Sequence, residues 1–73
     1  MNPNIIGLKI KDRRKELGMT QPELAEKAGI SQGSISRVES GKLNPTFMVM
    51  IRICSALHMT TDELAGNQKG AEE

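Results

Sequence analysis

Apolar residues recur along this chain at helical spacing, and no stretch alternates apolar and polar residues as a half-buried strand would. Ile6, Ile10, Arg13 and Leu17 fall on one helical face, which defines the inner stripe of a first helix from about Pro3 to Leu17. Asn2 stands at its N-cap position, Pro3 is tolerated in its first turn, and Gly18 ends it where a left-handed residue costs least.

The punctuation between later apolar groups is equally regular. Thr20-Gln21-Pro22-Glu23 reads as a capping box that opens a second helix to Ala28, with Leu24, Ala25 and Ala28 inward. Alanines on an inner face require a close neighbour. Gly29 stops that helix, Ile30 follows as an apolar plug, and Ser31 caps a third helix running to about Ser40 before Gly41. The loop Lys42-Leu43-Asn44-Pro45 leads to Thr46, the N-cap of a fourth helix from Phe47 to about Leu57 with an expected inner stripe of Phe47, Met50, Ile51, Cys54 and Leu57. A second capping box, Thr60-Thr61-Asp62-Glu63, opens a short fifth helix ending by Gly66. The expectation is an all-α domain of five helices over residues 3–66, with a polar, frayed tail over 67–73.

Composition narrows the chemistry. Seventy-three residues, 37 % of them apolar and one of them Phe, make one small domain with a thin stability margin. One Cys and one His cannot form an internal disulfide or fill a four-ligand structural zinc site, so helix packing and self-association must supply stability. Nothing resembles a membrane span, and Met1-Asn2-Pro3-Asn4 lacks the start of a signal peptide. With an unpaired Cys54 this predicts a cytoplasmic protein that needs no cofactor or metal. Cys54 reads as a core residue, and His58 as a helix-end residue favourable to the dipole. No His/Asp/Glu constellation or phosphate loop points to an enzyme. The net charge of +1 conceals an asymmetry: residues 1–42 carry +3 and residues 43–73 carry −2, which allows one basic face on a nearly neutral molecule.

Residues 21–40 carry the strongest functional signal. Two helices joined by a Gly-containing turn form a helix-turn-helix, which needs a small residue at Ala25, positive φ at Gly29, and apolar side chains at Leu24, Ala28, Ile30, Ile35 and Val38. Gln32, Gly33, Ser36 and Arg37 lie on the opposite side of the third helix, and Gln and Arg there suit adenine and guanine edges in a major groove. Arg14 and Glu39 each follow an inward Ile by four residues, so the two charges are expected to pair inside.

Arg14-Lys15-Glu16-Leu17-Gly18-Met19-Thr20-Gln21, Glu23-Leu24-Ala25, Gly29-Ile30-Ser31-Gln32, Ile35-Ser36-Arg37-Val38-Glu39, Gly41-Lys42 and Pro45-Thr46, with Ala56-Leu57 and Thr61-Asp62-Glu63-Leu64, resemble the lambda repressor/Cro-like (XRE-type) helix-turn-helix family from about Ile6 to Ala65. The resemblance implies a five-helix, lambda repressor-like DNA-binding domain and a transcriptional regulator, expected to be a repressor. It implies that Gln21 meets a phosphate and braces Gln32, and that Ser40, Lys42, Asn44 and Thr46 form a second phosphate clamp. It also implies a structural Arg14–Glu39 bridge. Apolar residues beyond the inner stripe of the fourth helix, Met48 and Val49 with Ile53 on the flank and Leu43 nearby, are expected to leave a surface for a homodimer interface at Leu43, Met48 and Val49. Such a dimer would place its reading helices one turn of double-stranded DNA apart on a palindromic operator. The alternative on this fold is an antitoxin-type or other protein-interaction module with a protein partner.

Overall fold

The computed structural model describes residues 3–65, folded as α1 (Pro3–Glu16), α2 (Gln21–Ala28), α3 (Gln32–Glu39), α4 (Phe47–Ala56) and α5 (Thr61–Ala65). No strand occurs among the described residues. The N-cap expected at Asn2, the stop at Gly66 and the tail 67–73 lie outside them. None of the described helices is long and apolar enough to cross a membrane.

Local chemistry sets the helix starts. Thr20 Oγ1 accepts from Glu23 N at 3.2 Å while Thr20 N donates to Glu23 Oε1 at 2.8 Å, and Thr60 and Glu63 repeat this reciprocal box at α5. Ser31 and Thr46 cap α3 and α4 by accepting from Ser34 N and Val49 N. Each cap satisfies a backbone donor that would otherwise lack a partner.

The helix ends share one motif. At α1, Met19 N donates to Arg14 O and Gly18 N to Lys15 O; equivalent bond pairs close α2, α3 and α4. This Schellman turn needs a left-handed residue. Gly18, Gly29 and Gly41 supply it with φ of 71°, 73° and 79°, whereas at α4 the position belongs to His58 with φ of 56°. A side chain there is strained by roughly 1 kcal/mol. His58→Gly should therefore raise stability by about that amount, read as a higher midpoint in thermal or urea unfolding.

The core is built from Ile6 and Ile10 of α1, Leu24, Ala25 and Ala28 of α2, Ile35 and Val38 of α3, Ile53, Cys54 and Ala56 of α4, and Leu57 and Leu64. Helix α1 packs on α3 and α5, α2 on α3 and α4, and α4 on α5. Helices α1 and α3 come close at Gly7, where an added Cβ would lie 2.7 Å from Glu39 O and closer still to Val38 O. Burial holds the Cys54 thiol above its usual pKa, with the charge of Glu63 adding to the shift, so Cys54 acts as a protonated packing group.

Two stripes differ from expectation. Helix α1 ends at Glu16, and Leu17 swings outward to 36 % exposure, leaving Arg14 rather than Leu17 to continue the inner face. Arg13, half-buried, reaches the end of α4, where its Nε donates to Leu57 O at 3.0 Å and its Nη2 to His58 O at 3.4 Å. These are orphan carbonyls that a cation stabilises. In α4 the inward phase runs through Ile53, Cys54 and Leu57, so Ile53 is fully buried rather than on the outer flank, while Phe47 (68 % exposed) and Ile51 (37 %) face outward. The helix has only Arg52 and Ser55 as polar members, so its apolar pattern alone does not orient it.

Candidate nucleic-acid interface

Helix α3 has two faces of opposite character. Ile35, Val38 and Glu39 are buried, whereas Gln32, Gly33, Ser36 and Arg37 are all exposed. Arg37 is the one formal charge among those four outward positions. Gly33 is not demanded by packing: the nearest contact for an added Cβ is Arg37 Nη1 at 3.8 Å. The glycine keeps the start of α3 low enough for backbone to approach another surface closely.

The buried side of α3 is held by charge. Arg14 Nε donates to Glu39 Oε2 at 2.6 Å and Arg14 Nη2 to Glu39 Oε1 at 2.9 Å, a bidentate pair whose side chains are 9 % and 3 % exposed. Arg14 Nη1 donates to Met19 O at 2.8 Å, so one guanidinium ties α1 to both the α1–α2 turn and the end of α3. The hydrogen bond to Glu39 raises the Arg14 pKa above its already high value, helped by the Glu39 charge and opposed by burial. The same carboxylate has a further donor: Gln21 Nε2 lies 3.0 Å from Glu39 Oε1. The resemblance implies a brace from Gln21 to Gln32; the structure directs the Gln21 amide to Glu39 instead, because an ionised, acceptor-only group stands within its reach.

Ser40, Lys42, Asn44 and Thr46 are all exposed along the segment joining α3 to α4. Ser40 Oγ donates to Arg37 O at 3.1 Å, and the Schellman turn fixes the backbone through Lys42 N to Arg37 O at 2.9 Å. Thr46 spends its acceptor on Val49 N, and the N–H groups of Phe47 and Met48 before it belong to the first turn, where a helix offers no acceptor of its own. A helix start of this kind favours an anion. Gln21, half-buried, stands at the first position of α2. Of the apolar residues expected at a subunit interface, Met48 is 59 % exposed, while Leu43 and Val49 are partly buried against the core of their own chain. Phe47 and Ile51 join Met48 on the outer side of α4.

Comparison with known proteins bears on the family and the fold. The helix-turn-helix family model HTH_3 matches residues 10–64. An uncharacterised HTH-type transcriptional regulator of Methanothermobacter thermautotrophicus is 44 % identical over 48 residues, covering 66 % of this chain and 70 % of that protein. The cryptic phage CTXphi transcriptional repressor RstR of Vibrio cholerae is 40 % identical over 63 residues, covering 81 % of this chain but 56 % of RstR, so the chain spans little more than half of that relative. Among solved structures, the biofilm master regulator SinR in complex with DNA superposes with a TM-score of 0.79 at 34 % identity, covering 82 % of this chain and 97 % of that one. On motif, architecture and sequence together, the chain belongs to the XRE-type, lambda repressor-like helix-turn-helix family of DNA-binding transcription regulators.

Proposed function

We propose that this chain is a repressor that reads a palindromic double-stranded operator as a homodimer, with α3 in the major groove. The observation that carries this reading is the α3 surface: Gln32, Gly33, Ser36 and Arg37 are exposed together on a helix anchored from behind by a buried ion pair. Gln32 and Arg37 have the donor and acceptor patterns that distinguish bases. Gln21 on one side, and Ser40, Lys42, Asn44 and the start of α4 at Thr46 on the other, serve as phosphate clamps. The name of RstR and the DNA bound to SinR support repression and DNA binding.

Substitution separates the two kinds of contact. Arg37→Ala should cost about 1–3 kcal/mol on the selected operator and relax preference at one base. Lys42→Ala should weaken operator and unselected DNA alike and lower the salt slope by about one. Affinity measured against salt on both duplexes checks both results. Equal loss on both duplexes for Arg37→Ala would remove it from base reading.

The homodimer follows from weak single-site binding and an uncovered apolar helix side. A nearly neutral domain neutralising about three to five phosphates binds weakly alone, and pairing sets two reading helices about 34 Å apart. Of the expected interface, Met48 is the exposed member, while Leu43 and Val49 are partly buried against the core; Phe47 and Ile51 enlarge the exposed patch. Sedimentation at micromolar concentration should give a dimer for the wild type and a monomer for Met48→Glu. A wild-type chain that binds operator as a monomer contradicts the pairing.

A further inference from the structure

We infer that Glu39 is a positioning residue for DNA binding: it orients the Gln21 amide so that Nε2 bridges Glu39 and a backbone phosphate, one N–H to each. This rests on the reading of Gln21 as a phosphate contact. Glu39 Oε1 receives Arg14 Nη2 at 2.9 Å and Gln21 Nε2 at 3.0 Å, while Oε2 receives Arg14 Nε at 2.6 Å. A carboxylate only accepts, so it admits the NH2 end of the amide and rejects the carbonyl end. A phosphate also only accepts, and an amide turned the other way would present oxygen to it. Because Gln21 is half-buried at the first position of α2, its second N–H is the donor left for a ligand at that helix start. The buried charge that secures α3 thereby also sets the polarity of a donor on α2, and the two helices enter the complex with their donors already oriented.

The probe is a duplex of unselected sequence at low salt, which offers phosphates without base readout. Gln21→Met should bind it about tenfold more weakly, the loss of one hydrogen bond to a charged group. Glu39→Gln, held below its melting midpoint, should show a similar loss, and the double variant should lose no more than either single one. Losses that multiply would overturn the positioning role and leave the Gln21 contact standing. Undiminished binding by Gln21→Met would overturn both. Should Glu39→Gln not fold, side-chain amide NMR of the wild-type protein decides. One Gln21 amide proton should be shifted by Glu39 in the free protein, and the second should shift only when duplex is added. A second proton unmoved by DNA contradicts the bridge.

Discussion

Gly7→Ala is expected to lower the melting temperature, by about 4–8 °C for each kcal/mol by which overpacking exceeds the gain in propensity, although alanine is the better helix former. The gain in propensity is about 1 kcal/mol. Against it stands a methyl group pushed to within 2.7 Å of Glu39 O and closer to Val38 O. Both are backbone atoms, so no rotamer change relieves the contact and α1 must part from α3. Overpacking of this kind costs about 1–3 kcal/mol, occasionally more, and a domain of this size has a total stability of only about 3–5 kcal/mol. Thermal unfolding followed by circular dichroism reads the result. An unchanged midpoint would mean that α1 and α3 do not meet at Gly7.

Glu39→Ala should cost about 3–5 kcal/mol, because it leaves the Arg14 guanidinium buried without its partner. The contrast within α1 is instructive. Arg13 Nη1 and Glu16 Oε1 also form an ion pair, at 3.2 Å, but with side chains 34 % and 66 % exposed. Water already solvates that pair, so Glu16→Ala should change stability by about 0–1 kcal/mol. Combining Glu39→Ala with Arg14→Met removes the orphaned charge and should recover much of the loss. Circular dichroism and urea unfolding of the three variants test the difference: Glu39→Ala should be largely unfolded before urea is added, and a Glu39→Ala midpoint equal to the wild type would show that the pair contributes nothing.

Local chemistry made much of this fold legible. A capping box such as Thr20 to Glu23 is complete within four residues, so its reciprocal bonds could be read from spacing. The inward set of the helix-turn-helix was equally clear, because a steep helix pair restricts residue size at Ala25 and polarity at Leu24 and Ile35. The orientation of α4 was not legible. With apolar residues on nearly every side, periodicity could not reveal that Ile53 turns in and Phe47 and Ile51 turn out; packing against α2 and α5 decides that. Leu17 leaves the inner face for a related reason, since the Schellman turn at Gly18 ends the helix one residue earlier than the apolar spacing implies. Gly7 carries a usable signal in the sequence: a glycine inside a helix is costly and calls for a packing reason. In the interface, the outward positions of α3 followed from helical spacing. The Gln21–Glu39 bond did not, because it joins residues 18 apart whose proximity exists only once α2 and α3 have packed.

The near-neutral charge of the chain also takes on a different meaning. A net +1 argues against nucleic acid only if charge is spread evenly, and residues 1–42, which contain the helix-turn-helix, carry +3. On the proposed function, modest affinity per chain makes pairing and base readout, rather than bulk attraction, the source of specificity.

Selection of bound sequences from a random duplex pool decides whether α3 reads DNA. A homodimeric reader should enrich a palindrome whose half-sites lie about one helical turn apart, with preference relaxed at one position per half-site when Arg37→Ala is selected in parallel. A pool that emerges unenriched would contradict sequence-specific reading by α3 and favour a protein-interaction module on the same fold.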